Sequence, residues 1–284
     1  MIIAHKPLVD PEITNRMFDL YRSIDHHTLS IDAWMTQLHT DIFRSWITNG
    51  SNNFVRGLDQ FAHAALCSGS SAAIDSFVAR HSTRRIRFSN SEFVLSRIVA
   101  TANNIPWTYL EDGILHNNDA VIISLPFAGN GSVYPGLTEL LTACTTMNIP
   151  VLVDIAYIGI SYDLEIDLSH PCITEVTCSV SKPFATVLRH GVRFTRNKLD
   201  DLIQSSSDFG ILARANVVVA SQLMQEFDKN FIANKYRDKQ QEICKDLNLT
   251  PTNTITLAVG NEIDHAAFAR GKYIRVCITD ELLA

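Results

Sequence analysis

Several signals that would assign a class at once are missing from this sequence. Its 24 lysines and arginines are outnumbered by 30 aspartates and glutamates, for a formal charge of −6. A basic surface able to neutralise phosphates is therefore not expected, and nucleic acid is excluded as a partner. No apolar run reaches the roughly 20 residues that cross a bilayer. The opening MIIAHKPLVDPE lacks a basic segment followed by an apolar signal-peptide core, so a soluble protein without a membrane partner is expected. The 6 cysteines are scattered without a CxxC pair, and the 10 histidines, His26 and His27 included, form no HExxH or comparable ligand spacing. No metal is expected, and cysteines lying in apolar runs fit a reduced, cytoplasmic setting. There is no internal repeat and no low-complexity tract.

What is present is an ordinary globular composition, 46% hydrophobic and 19% charged, in a chain of 284 residues. That length holds one large α/β domain, or a large and a small one, with a sizeable core. The first third reads as helical. Asp10 before Pro11 is a capped helix start, and Ile13, Met17, Leu20 and Tyr21 recur at helical spacing over 11–22. Residues 31–46 repeat the pattern, and 54–66 read as a further helix after the turn cluster at 49–53.

Strands and helices then alternate: strands at 85–88, 107–110, 120–125, 151–155 and 175–179, with helices at 72–79, 92–103 and 136–147. This βαβ order predicts a mainly parallel sheet covered by helices, with the ligand at the carboxyl ends of the strands. Beyond Arg196, one long helix over 216–247, a strand at 254–259, a helix at 264–270 and a strand at 273–278 make a small α+β unit.

Polar residues collect at those strand ends. Asp154 closes a buried-type strand, Tyr157 follows it, and Ser179, Ser181, Lys182 and Arg189 follow the next. Gly69, Ser70 and Ser71 open a helix, where free N–H groups and hydroxyls suit an anion; taken alone, the same residues read first as an ordinary helix cap. A buried acid without a cationic partner is costly, which argues against a purely structural Asp154.

Four segments in order, CSGSSAAI, VIISLPFAGNGSVYP, NIPVLVDIAYIG and SVSKPFATVLRHG, resemble the fold type I pyridoxal-phosphate enzymes, in particular the class I and II aminotransferases, over 67–196. The resemblance implies a three-layer αβα large domain with a mainly parallel sheet and a small C-terminal α+β domain, a short version of the aspartate aminotransferase fold. It divides the chain into an N-terminal helical segment (1–53), a cofactor domain (54–200) and a small domain (201–284). It also implies pyridoxal 5′-phosphate as cofactor, with Lys182 forming the Schiff base and moving the α-proton, Asp154 on the ring nitrogen, and Tyr157 on the ring oxygen. Gly69, Ser70, Ser71, Ser179 and Arg189 would hold the phosphate, with Arg193 as a competitor and His190 as a neighbour. Phe93 would stack on the ring.

One departure stands out within SLPFAGNGS. Aligning Pro126 and Gly131 puts Ala128 where relatives carry an asparagine, so either Asn130 supplies that contact from a shifted turn or the ring oxygen has one donor fewer. In GKYIRVCITDELLA the resemblance assigns Arg275 to the substrate carboxylate; the chain ends nine residues later, where relatives continue through a helix. The implied activity is transamination of an amino acid or related amine. Decarboxylation, elimination, racemisation or oxidation on the same cofactor, and a non-catalytic relative, are the alternatives. A homodimer with shared sites is implied, with Trp34, Trp46 and Tyr134 as aromatic candidates near the interface.

Overall fold

A computed structural model describes residues 6–25, 27–30, 35–50, 52–184 and 186–284. In chain order these form α1 (Pro11–Ser23), α2 (Thr36–Thr48), β1 (Asn53–Arg56), β2 (His63–Cys67), α3 (Ser70–Arg80), β3 (Arg85–Phe88), α4 (Leu95–Ala102), β4 (Trp107–Tyr109), β5 (Asp119–Ser124) and α5 (Leu137–Thr146). There follow β6 (Val151–Asp154), β7 (Leu164–Asp167), β8 (Ile173–Ser179), β9 (Gly191–Thr195), α6 (Leu202–Asp208), α7 (Arg214–Glu226), α8 (Phe231–Asp246), β10 (Thr250–Pro251), β11 (Leu257–Val259), β12 (Ala269–Arg270), β13 (Tyr273–Cys277) and α9 (Thr279–Leu283).

The main sheet has seven strands in the order β2-β9-β8-β6-β5-β3-β4. Every residue of β5 and β6 is buried, which is why these strands read as continuous apolar runs rather than as alternating ones. The strands from β8 to β4 run parallel, while β9 is antiparallel to both β8 and β2. Two reversals leave β2 pointing the same way as β8. The carboxyl ends of β2, β3, β5, β6 and β8 and the amino end of β9 therefore share one edge. Register sharpens this: Gly191 pairs with Cys67 on one side and Ser179 on the other.

The expected α/β fold with a mainly parallel sheet and a small C-terminal sheet is present. The latter is antiparallel, β10-β11-β13-β12. At the amino end, Asp10 caps α1 by accepting from the Ile13 N–H at 3.0 Å and also receives Lys235 at 2.8 Å and Tyr236 at 2.7 Å from α8. Helices α1 and α2 pack on α7. No helix among the described residues is long and apolar enough to cross a membrane.

Four expectations are corrected. Residues 54–66 are β1, a short 3-10 turn and β2 rather than a helix. Gly57 at φ +79° breaks the run, and β1 and β2 find distant partners in β7 and β9. The long helix at 216–247 is two, α7 and α8, because the segment between them is held by α2: Trp46 Nε1 donates to the Phe227 carbonyl at 3.0 Å and the buried Lys229 Nζ to the Ile47 carbonyl at 2.8 Å. The helix expected at 264–270 is a 3-10 turn followed by β12, whose pairing with β13 wins over local propensity. The helix expected from 92 begins at Leu95, since Glu92 is drawn into the core. For the helix expected at 31–46, residues 31–34 lie outside the described residues, and α2 starts at Thr36.

Candidate active site

One cleft at the shared strand edge is lined by Ser70, Ser71, Phe93, Ser124, Ala128, Asp154, Ala156, Tyr157, Ser179, Ser181, Lys182 and Arg189. Residues spread over more than a hundred positions thus meet because their strands end together.

Asp154 terminates β6 and is buried, its Oδ1 accepting from the Ala156 N–H at 3.0 Å. Burial pushes this carboxyl up to about 7, against the opposing effects of the Ser70 hydroxyl, the Ala156 N–H and the Lys182 charge, while Glu92 adds to the rise. Lys182 lies in the turn after β8, with Nζ 5.4 Å from the centroid of the Tyr157 ring. Burial lowers its proton affinity; Asp154 opposes that, and Arg275 and Arg189 reinforce it. Burial raises the Tyr157 phenol, opposed by Arg275 and Arg270. An acid that resists ionising and an amine that resists protonating therefore share one wall, the arrangement found where groups are tuned for chemistry.

Around Gly69 the cleft gathers hydrogen-bond donors and a cation. Gly69 follows β2 at φ +83°, where a side chain is disfavoured; a Cβ there would sit 3.6 Å from Ser179 Oγ and 3.7 Å from Arg189 Nη2. Arg189, itself at φ +41°, sends Nη2 to within 3.4 Å of the Ser68 carbonyl and of Ser71 Oγ. Ser179 Oγ and Ser181 Oγ are 2.6 Å apart. Gly191 is required by space: a Cβ would meet the Cys178 carbonyl at 2.6 Å and Gly69 Cα at 2.8 Å. The guanidinium, three hydroxyls and the helix α3 amino end converge on one small volume.

Of the other expected residues, Phe93 lines the cleft and is 43% exposed. Arg275, on β13, is buried and donates from Nη1 to the Ala128 carbonyl at 2.6 Å, bringing the small sheet against the cleft wall. Asn130 is not brought there. Its Nδ2 donates to the Val133 carbonyl at 3.1 Å and its Oδ1 accepts from the Ser132 N–H at 2.9 Å, so the amide stabilises its own turn. Ala128 forms the wall instead. Arg193 points away into a buried pair with Asp201. His190 packs 5.5 Å from Phe43, and burial lowers its pKa to about 3. Trp46 is core, Tyr134 packs edge-on to Phe127, and Trp34 lies outside the described residues.

Sequence reasoning missed Glu92 and Ser124. The buried Glu92 carboxylate accepts from the Ser124 N–H at 2.9 Å, Ser124 Oγ at 2.6 Å and the Phe93 N–H at 2.8 Å. Ser124 Oγ in turn accepts from the Ala128 N–H at 2.8 Å. The only signal in the sequence was an acid beside an aromatic in SNSEFVLS.

Strand order, small antiparallel sheet and cleft position together define the fold shared by fold type I aminotransferases and lyases. The chain is similar to a PLP-bound C-S lyase from Staphylococcus hominis at 15% identity and TM-score 0.69, covering 97% of this chain and 83% of that one. It is similar to tyrosine aminotransferase from Leishmania infantum at 11% and 0.67, covering 97% and 88%. N-succinyldiaminopimelate aminotransferase from Mycobacterium tuberculosis gives 10% and 0.68, covering 98% and 88%. No protein-family model matches the chain, and no curated protein matches its sequence.

Proposed function

We propose that the cleft holds pyridoxal 5′-phosphate and that the protein is an aminotransferase acting on an amino acid or related amine. The observation that carries this reading is the meeting of Lys182, Asp154 and the Arg189 cradle in one cleft. The donor set fits the group. Gly69, the hydroxyls of Ser70, Ser71 and Ser179, and Arg189 would take the phosphate; Asp154 would hold the proton on the ring nitrogen; Tyr157 would serve the ring oxygen. When bound, the cofactor supplies an aldehyde that condenses with an amine and a protonated ring that draws electrons from the α-carbon.

The chain's own residues do the rest. A protonated ring nitrogen against Asp154 offsets the cost of ionising that buried acid. The lowered proton affinity of Lys182 keeps Nζ available as the nucleophile and then as the base that accepts the α-proton. Phe93 would stack on the ring, and Arg275 would grip the substrate carboxylate. The same reading takes the protein as a cytoplasmic homodimer, testable by light scattering.

A second reading, elimination at the β-carbon, is favoured by one observation: the wall carries Ala128 and no side-chain donor from Asn130. A lyase is also among the similar structures. The purified, cofactor-loaded protein assayed against a panel of amino donors with and without a keto-acid acceptor separates the two. Acceptor-dependent transfer supports transamination; acceptor-independent release of ammonia and keto acid rejects it.

A further inference from the structure

The proposed function gives no part to Glu92, a buried acid at the edge of the cleft, 6% exposed. Burying a carboxyl is costly unless donors meet it, and here the donors come from the cleft itself. Oε1 accepts from the Phe93 N–H and from Ser124 Oγ, while Oε2 accepts from the Ser124 N–H. Ser124 Oγ in turn accepts from the Ala128 N–H. Phe93, Ser124 and Ala128 all line the cleft. Three donors converging on one carboxyl group favour its ionised form.

Arg270, on β12, supports that charge from a distance, but its hydrogen bonds go to main-chain carbonyls, from Nε to Ser91 at 3.2 Å and from Nη2 to Glu92 at 2.6 Å. The Glu92 main chain is thus fastened to the small sheet, and its side chain to the end of β5. Phe93 needs such a tether. It precedes α4, which begins at Leu95, and its ring is 43% exposed. A ring on an untethered loop gives up conformational freedom when it binds; an anchored ring has given it up beforehand.

We infer that Glu92 is a positioning residue: its carboxylate anchors the Phe93 backbone to the end of β5 and so fixes the Phe93 ring as a wall of the cleft. The inference rests on the proposed function for what that wall meets, the pyridine ring of the cofactor. Burial raises the Glu92 carboxyl, opposed by its three donors and by Arg270. Burial also raises Asp154, on β6, and the Tyr134 and Tyr157 phenols, and the nearby Glu92 charge adds to each rise.

The test measures dissociation constants for pyridoxal 5′-phosphate and for inorganic phosphate in wild type, Glu92→Gln, Phe93→Ala and the double variant. Glutamine keeps the shape and loses the charge and one acceptor oxygen. Glu92→Gln weakens pyridoxal phosphate about tenfold and inorganic phosphate less than about twofold, and it adds little once Phe93 is alanine. Equal weakening of both ligands, or a tenfold loss that persists without the Phe93 ring, overturns the inference. If Glu92→Gln does not fold, Ser124→Ala takes its place: it removes one donor and weakens pyridoxal phosphate in the same Phe93-dependent way. A second readout needs no cofactor. The Asp154 titration midpoint, read from the urea stability of wild type against Asp154→Asn across pH, moves down in the Glu92→Gln background because a like charge has gone. A contact that only fills space leaves the midpoint in place, and that result also overturns the inference. A wild type that binds pyridoxal phosphate no tighter than phosphate rejects the proposed function; a midpoint that still moves then supports the placement of the Glu92 charge against the cleft.

Discussion

Replacing Asp154 with asparagine probes the electrostatics of the cleft without relying on turnover. Asp154 is 8% exposed, and burial pushes its carboxyl from 3.8 to about 7. The unfolded chain releases this proton near the lower value and the folded chain near the higher one. Between them the folded state binds more protons, so its stability falls as pH rises through that window. The span from 3.8 to about 7 corresponds to about 4 kcal/mol, absent below the lower value and fully present above the higher one. Asparagine keeps an oxygen for the Ala156 N–H and carries no charge, so the variant escapes the penalty. Urea unfolding of cofactor-free protein should show Asp154→Asn equal to wild type near pH 4 and more stable by about 4 kcal/mol near pH 8. A difference of the same size at both values, or a less stable variant at the higher one, would refute the reasoning. The function enters here: a cation seated against Asp154 offsets the same penalty, so the stabilised variant is also expected to bind pyridoxal phosphate more weakly.

Two further outcomes follow from the anion cradle. Arg189→Gln removes a guanidinium from it and should raise the dissociation constant for inorganic phosphate, measured by calorimetry, by about tenfold to a hundredfold. Gly191→Ala puts a Cβ against the Cys178 carbonyl and Gly69 Cα at under 3 Å, backbone on both sides. It should lower stability by about 1–3 kcal/mol in urea and loosen phosphate binding along with it.

The parts of the molecule legible in the sequence are those whose signal is local. β5 and β6 are buried on both faces, so each reads as an apolar run, β8 carries a strand-forming mixture of Ile, Val and Thr, and the polar residues that end β6 and β8, Asp154 and Ser179, fall at the site edge by topology alone. Helix α1 is equally plain because Asp10 and Pro11 fix its start. Residues 54–66 read as a helix because Phe54, Leu58 and Phe61 fit one helical face, whereas their strand pairing depends on β7 and β9, far along the chain. The α7–α8 break was hidden for the same reason: the residues that hold it, Trp46 and Ile47, belong to α2. Within the site, Lys182, Asp154 and Arg189 stood out by chemistry at strand ends. Glu92 did not, since its role exists only through Ser124 on β5. Asn130 was expected in the cleft from alignment, and the turn's own hydrogen bonds take its amide elsewhere.

The central claim is that Lys182 binds the aldehyde of pyridoxal phosphate in this cleft. Borohydride reduction of the cofactor-loaded protein, followed by proteolysis and mass mapping, reads that bond directly. The account predicts a pyridoxyl group on the peptide containing Lys182 and its loss in Lys182→Ala. A protein that retains no cofactor under loading, or a label that maps to another lysine, would contradict it.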